Sequence, residues 1–400
     1  MGRIEGVATI ARYTPPVLRV LTLSTLFPDA SRPNFGIFVE RQTRGLARLP
    51  DTQVTVVAPV GLPPRPLRQS RHATLATLPY REERHGLTVH RPRFLTLPAT
   101  NGRWHAALLT RALIPVLDRL SFDVIDASFF FPDGPAAIAL GKRYGVPVSI
   151  KARGADIHHW GRVRRAQVLQ AGRGVQGLLA VSEAMKADMA ALGMPPERIR
   201  VHRTGIDHDR FHPTDRAAAK AALGVAGPVV LSLGALIPRK GHGIVVDAVA
   251  RLPDVTLLIA GEGPDHAALT AQARAQGVAD RVRLLGGVPH AELPRLLAAA
   301  DVMALASSSE GLANAWIEAL ACGTPIVIPD AGGAREVVIS PDAGRIVARE
   351  PSAFATAIAD LLADPPAPEA VALAAGPFSW DRNARDLRDH LAGLVASYPS

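Results

Sequence analysis

Short β-branched runs alternate with Ala/Leu-rich stretches of helical character, and the alternation occurs in both halves of the chain. No other feature restricts the fold as much. In the first half "VLRVLTLS", "QVTVVAP", "FDVIDAS", "VPVSIKA" and "GLLAVS" read as strands, and in the second "PVVLSLG", "VTLLIAG", "RVRLLGG", "DVMALAS" and "TPIVIPD" do the same. Helical stretches such as "GPAAIALGKRYG" and "AELPRLLAAA" lie between them. Strands that follow one another through a helix pair in parallel, because a tight turn cannot reach a parallel neighbour. The expected class is therefore α/β, with two doubly wound domains facing a cleft where strand C-termini and helix N-termini converge on ligands. Residues 203–215, "RTGIDHDRFHPTD", lack apolar periodicity and mark the boundary. The division reads as a loose N-terminal extension at 1–17, a first domain at 18–205, a second at 206–375, and a C-terminal amphipathic helix at 376–400, a candidate for packing back toward the first domain. The Pro- and Arg-rich stretch 60–80 reads as the longest irregular insertion of the first half.

Charge divides at the same boundary. Residues 1–205 hold 29 Lys+Arg against 14 Asp+Glu and the remainder 16 against 22, so a half of +15 is joined to one of −6. Only the first half is then suited to an anionic surface or ligand. Aromatic residues are 5% of the chain and no stacking or major-groove module is visible, so nucleic acid is not an expected partner. An anionic membrane face, met by Arg65, Arg68, Arg71, Arg81 and Arg84, or a diphosphate-linked substrate fits better. Compositional bias explains the excess equally well, since 40 of the 45 basic residues are Arg; it also makes each of the five lysines more informative. No apolar run of about 18 residues is present. Residues 1–17 lack the apolar core and cleavage site of a signal peptide. The single Cys322 permits no internal disulfide and suits a reducing compartment. The expected location is the cytoplasm, or the inner face of a bacterial plasma membrane.

Three loops carry candidate chemistry. In "LSLGALIPRKG" a strand ends at Gly234, and Arg239 and Lys240 stand just before the next helix, where free amides and two cations suit a diphosphate. A solvated Arg-Lys pair at a helix entry has the same local pattern. In "LIAGEGP" a second strand runs into a turn with Glu262 between two glycines. In "SSSEGLANAWIEALACGTPIV" a strand is followed by Glu310 in a loop and by Glu318 inside an apolar helix from about Leu312 to Cys322. A carboxylate accepts paired hydrogen bonds from vicinal diols, which suits Glu318 to a ribose and Glu310 to a sugar. A helix cap and a surface ion pair are the plainer readings of the same two residues. Asp207 and Asp209 lie in the interdomain stretch and read as structural, and no histidine grouping has zinc spacing.

Glu, seven residues, Glu and then "ALACGTPIV" resembles the signature of retaining family 4 glycosyltransferases. "LGALIPRKG", "IAGEGP", "KARGADI", "VSEAMKADM" and "GID" with "RF" soon after resemble further blocks of that family in the same order, and "FPDASRPNFGIFVERQ" looks like the N-terminal block of bacterial cell-surface polysaccharide members. The resemblance spans roughly residues 18–390. It implies a GT-B fold, two Rossmann-like domains with the acceptor on the first and the nucleotide-sugar on the second. It places Lys240 and Arg239 at the donor diphosphate, Glu310 at the donor hexose and Glu318 at the ribose. Gly234 and Glu262 fall in donor-side loops, and Gly311, Leu312, Ala313 and Asn314 would offer amides to sugar and phosphate. Gly36, opening the helix "IFVERQTRGLARL", matches a loop that approaches the diphosphate from across the cleft.

Two departures stand out. Many relatives carry Arg where this chain has Ala235, and many carry His-x-His where it has Asp126 and Ser128. Asp126, Ser128, Arg153 and Asp156 become the acceptor-side candidates, each of which reads equally as a satisfied polar group at a strand end. The implied activity is retaining transfer of a hexose-type sugar from a UDP-sugar, or second GDP-mannose, to a hydroxyl of a lipid-linked glycan or polysaccharide. Neither cofactor nor metal ion is expected. A catalytically decayed sugar-binding scaffold and a nucleotide-sugar epimerase are the alternatives, and product analysis separates the three.

Overall fold

The computed structural model describes residues 17–399, so the expected extension at 1–17 lies outside the described residues apart from Val17. The first half contains strands β1 (Leu18–Leu23), β2 (Thr52–Val57), β3 (Val60–Leu62), β4 (Arg81–Arg84), β5 (Leu87–His90), β6 (Arg93–Leu95), β7 (Val124–Ala127), β8 (Val148–Ala152), β9 (Gly177–Ala180) and β10 (Ile199–Val201). The second contains β11 (Val229–Leu233), β12 (Thr256–Ala260), β13 (Val282–Gly286), β14 (Val302–Ala304), β15 (Ile326–Pro329) and β16 (Gly344–Val347). They form an eight-stranded sheet, β10-β9-β8-β7-β1-β2-β5-β4, a six-stranded sheet, β13-β12-β11-β14-β15-β16, and the small pair β3-β6. Every ladder is parallel except β4 against β5. The second sheet has the 3-2-1-4-5-6 order of a Rossmann fold, and its order reverses between β11 and β14. The first sheet reverses between β1 and β7. The expected pair of doubly wound α/β units is what the chain forms.

Central strands are buried on both faces, which is why they read as continuous apolar runs rather than alternating ones. Val148–Ala152 is buried at every position, including the polar Ser149 and Lys151. The stretch 60–80 departs from the irregular loop expected of it. It supplies β3, a 3-10 turn at Arg65–Leu67 and a helix at Ser70–Thr77. Pro at 63, 64 and 66 hides these from a periodicity reading, and the helix is fixed locally by a reciprocal cap between Gln69 and His72. Arg84 also differs from its expected role at the surface, because its Nε donates to the buried Glu40 at 2.6 Å.

The final helix, Trp380–Ser397, crosses back to the first sheet. Leu387 and Leu391 share a core with Leu18, Val20, Leu46, Val124 and Leu179. His390 Nε2 meets Ser149 Oγ at 3.0 Å, and Arg388 pairs with Asp51.

Beneath the cleft, Asp133 opens the helix Asp133–Tyr144 as a buried carboxyl beside the first sheet. Asp133 accepts from the Thr25 amide at 2.8 Å through one oxygen, while the other has no partner among the described residues. Burial, reinforced by Asp156, pushes its carboxyl up to about 7. The folded chain therefore binds this proton more tightly than the unfolded chain, and the contribution to stability falls as pH rises from about 4 to about 7. Asp133→Asn is expected to be more stable than wild type by about 2–4 kcal/mol at pH 8, with the two converging near pH 4. Urea denaturation at several pH values checks this, and parallel stability curves would sink it.

Candidate active site

At the point where the order of the second sheet reverses, the loops leaving β11 and β14 meet. Gly241 has φ 70°, and a Cβ there would lie 2.1 Å from the Ala306 carbonyl oxygen, so only glycine lets the two loops lock together. The lock brings Lys240 Nζ to 2.5 Å from Glu310 Oε1, and Arg239 Nη1 to 3.3 Å from the same oxygen. Lys240 is nearly buried, whereas Arg239 is 43% exposed and also donates to the Ser309 carbonyl. Glu310 precedes the helix Asn314–Ala321, which starts two residues later than expected, and Glu318 lies on that helix. Both carboxylates are buried. Cys322, four residues on, is pushed up to about 12 by burial and by Glu318, which leaves it an inert thiol.

Glu318 does not stand alone. Its Oε1 accepts from His290 Nε2 at 2.8 Å, and Arg41 Nη1 lies 3.8 Å away. Arg41 Nη2 donates to His290 Nδ1 at 2.7 Å and its Nη1 lies 3.0 Å from Nε2, so the ring is held between the guanidinium and Glu318, with Nε2 as the nitrogen that faces the carboxylate. Arg41 comes from the helix Ile37–Ala47 of the first domain, so this cluster crosses the cleft. Gly36 opens that helix at φ 70°, with a hypothetical Cβ 2.5 Å from the Leu26 carbonyl oxygen, so its role here is a sharp entry turn.

A cavity of about 340 Å³ lies between the domains. Among the residues expected at the donor, Gly234, Lys240, Glu310, Gly311, Leu312, Ala313, Asn314 and Glu318 line it, with Arg153, Phe38 and Thr204 opposite. Ala235 lines it too, at the position where a cation was missing. Glu262 does not line it. A Cβ at Gly261 or Gly263 would strike the carbonyl oxygens of Gly234 or Leu236, so the Gly-Glu-Gly turn braces the β11 loop through its backbone and leaves the Glu262 side chain exposed.

A second cavity, of about 740 Å³, opens on the other side of the Ser309–Gly311 loop. Arg153 borders both, and Arg239 belongs to this one. Three of the four acceptor-side candidates do not reach it. Asp126, Ser128 and Asp156 are fully buried. Asp156 accepts from the amides of Arg153, Gly154 and Phe130, and so shapes the turn that carries Arg153. Ser128 offers its carbonyl to Arg153 Nε at 2.7 Å, and its hydroxyl turns toward Asp126. Burial raises Asp126 to about 6 against the pull of Arg153 and Lys151. Strand-end polarity in a sequence does not reveal depth, and these three residues form a brace below the cleft wall.

Arg153, Arg239 and Glu310 reach the second cavity as candidates, whereas His158 and Asp188, which also line it, lacked a local signal. His158 Nε2 donates to Asp188 at 2.8 Å, and its Nδ1 faces Ser309 Oγ at 2.7 Å across the domain boundary. Below, Lys151 is fully buried, donates to Gln42 Oε1 and His202 Nδ1 at 2.9 Å each, and is held well below its ordinary range by desolvation and by Arg153. His202 Nε2 in turn donates to the Asn383 carbonyl of the final helix at 2.9 Å. The scarcity of lysine flagged Lys151 as informative without showing its depth. Glu336 of the second domain pairs with Arg203 at 2.8 Å and accepts from the Glu183 amide at 2.8 Å, tying the domains together at the rim.

Two parallel doubly wound sheets with a cation-carboxylate loop at the cleft define the GT-B class of architecture. The profile for Glycosyltransferase Family 4 matches residues 36–210 and that for Glycosyl transferases group 1 matches residues 214–375, and the chain belongs to glycosyltransferase family 4. It is 34% identical over 234 residues to a GDP-mannose-dependent α-(1-6)-phosphatidylinositol monomannoside mannosyltransferase of Mycolicibacterium smegmatis, covering 55% of this chain and 61% of that one. It is 37% identical over 218 residues to a D-inositol 3-phosphate glycosyltransferase of Segniliparus rotundus, covering 51% and 47%. The matches thus span roughly half the length of these curated relatives. Among solved structures, sucrose-phosphate synthase of Thermosynechococcus elongatus superposes with a TM-score of 0.82 at 20% identity over 95% of this chain and 100% of that one. Anabaena HepE in complex with UDP and glucose gives 0.72 at 21% identity over 94% and 100%. These likenesses establish the GT-B fold.

Proposed function

We propose that the protein is a retaining glycosyltransferase that moves a hexose-type sugar from a nucleoside-diphosphate donor to a hydroxyl of a lipid-linked or polysaccharide acceptor. The observation that carries this reading is the contact of Lys240 with Glu310 at the switch point of the second sheet. A cation and a diol-binding carboxylate there stand beside the free amides of the helix Asn314–Ala321. Departure of a nucleoside diphosphate builds charge on phosphate oxygens, which Lys240, Arg239 and the Gly311–Asn314 backbone are placed to stabilise. In this reading no metal is assigned. Glu310 holds the transferring sugar and Glu318 the ribose, displacing Arg41 and His290 from part of its hydrogen bonding. The acceptor enters the larger cavity, where His158, oriented by Asp188, faces the Ser309–Gly311 loop. Its hydroxyl attacks from the face the diphosphate leaves, and the leaving phosphate takes its proton, so configuration is retained.

The M. smegmatis relative supports GDP-mannose and the HepE complex supports a UDP-hexose. The test is incubation with GDP-mannose and with UDP-glucose in the presence of a bacterial lipid extract, followed by mass spectrometry and anomeric NMR of the product. A glycosylated lipid with the donor's anomeric configuration is the expected outcome. An inverted linkage would remove the retaining mechanism. An isomerised donor would favour the epimerase reading, and no turnover with intact nucleotide binding would favour the scaffold.

A further inference from the structure

Away from the cleft, the first sheet leaves part of one face uncovered. The β4–β5 edge extends past the helix His105–Leu117, and a groove of about 820 Å³ lies between them. Its floor is Thr55, Thr88 and His90; Thr55 and Thr88 are register partners on β2 and β5. Its apolar wall is Ala112, Pro115, Val116 and Leu120. Arg81, Arg93 and Arg119 line it, and no acidic residue does. The nearest acid, Glu83, accepts from Thr88 Oγ at 2.8 Å and stands 3.4 Å from Arg81. Arg119 has no side-chain hydrogen bond or ion pair among the described residues. The Arg93 guanidinium lies 4.5 Å from the centre of the Tyr80 ring, and that ring is 70% exposed at the rim.

One wall is apolar, the other side is cationic, and an amphipathic ring marks the entrance. A soluble anion would use the arginines and leave the apolar wall wet. A neutral apolar ligand would leave Arg119 unanswered and the charge of Arg81 and Arg93 met only by Glu83, since Arg93 donates to the carbonyls of Arg91 and Leu78 and has no carboxylate partner among the described residues. We propose that this groove binds the phosphate headgroup of an anionic phospholipid, with the start of an acyl chain against Val116 and Leu120 and Tyr80 at the water interface. The +15 charge of residues 1–205 directs this face, rather than the acidic half, toward the lipid surface.

The test uses the full chain and sedimentation with phosphatidylcholine vesicles, with and without phosphatidylglycerol. Wild type is expected to bind only the anionic vesicles. Each basic side chain near an anionic surface contributes about 1 kcal/mol, so Arg81→Gln with Arg119→Gln should weaken binding about thirtyfold. Arg382→Gln with Arg385→Gln, an equal charge change on the final helix, should leave it unaltered. Thr88→Trp fills the groove without altering charge and should also abolish binding, with thermal melting and nucleotide binding reporting that the fold is intact. If wild type ignores anionic vesicles, both the groove and membrane attachment fall. If wild type binds but Thr88→Trp binds equally well, or the two double variants weaken alike, attachment stands and the groove falls. Neither result depends on sugar transfer, which the product assay judges separately.

Discussion

Lys240→Ala is expected to lower the rate of sugar transfer by two to three orders of magnitude. Removing one preorganised group that meets developing charge costs about 10²–10³ in rate, and Lys240 is a nearly buried cation lining the smaller cleft cavity, which the proposed reading gives to the donor. The change also leaves Glu310 with Arg239 alone, at 3.3 Å, which should cost about 1–3 kcal/mol of stability. A rate loss with a modest drop in melting temperature is therefore the signature. Arg239→Ala should be far milder, because that guanidinium is substantially exposed and reaches the neighbouring cavity. Steady-state kinetics of the two variants decide the matter. If both lose activity equally, Arg239 carries as much of the charge as Lys240; if Lys240→Ala keeps a tenth or more of the wild-type rate, phosphate neutralisation lies elsewhere.

The second large effect concerns Glu318. A nucleotide present at about 100 times its dissociation constant should stabilise the wild type by about 2.7 kcal/mol. In a thermal-shift panel of UDP, GDP, ADP and CDP, one nucleotide should raise the melting temperature, and Glu318→Ala should abolish that rise. The variant should also melt lower without any ligand, because His290 and Arg41 lose their carboxylate. Glu318→Gln separates the two effects. It keeps an acceptor for His290, so its unliganded stability should recover, while bidentate acceptance from a ribose diol is still lost. A full nucleotide response in Glu318→Gln would assign Glu318 to the interdomain contact rather than to the donor.

The fold was legible because both sheets are built from buried parallel strands, whose apolar runs survive in any reading of hydropathy. β3, β4, β5, β6, β10 and β16 were not, since they are strands of three or four residues at or next to a sheet edge or in the small pair, and "REER" and the proline-rich stretch lack the pattern that burial imposes. The loops carrying Lys240 and Glu310 could be placed because each follows a recognisable strand directly. The partners that complete the site could not. Arg41, His290 and Glu318 come from widely separated segments and meet only because the domains face each other. The link from Asp188 through His158 to Ser309 is likewise a product of closure. Asp126 and Ser128, at the end of β7, and Asp156, on the short helix Ala155–His158 after β8, show the converse: polar positions correctly picked out but buried and lining neither cleft cavity.

The return of the final helix bears on how such a chain can be inherited or rearranged. Residues 380–397 complete the core of the domain the chain left some two hundred residues earlier, and they do so against Leu18, Val20 and Leu179. The two halves are therefore not exchangeable cassettes. A recombinant that took only the contiguous first half would present a bare apolar flank and lose the carbonyl of Asn383 that holds His202 and, through it, Lys151. Exchange of the first domain between relatives should give a folded chimera only when that domain travels with its own distant tail.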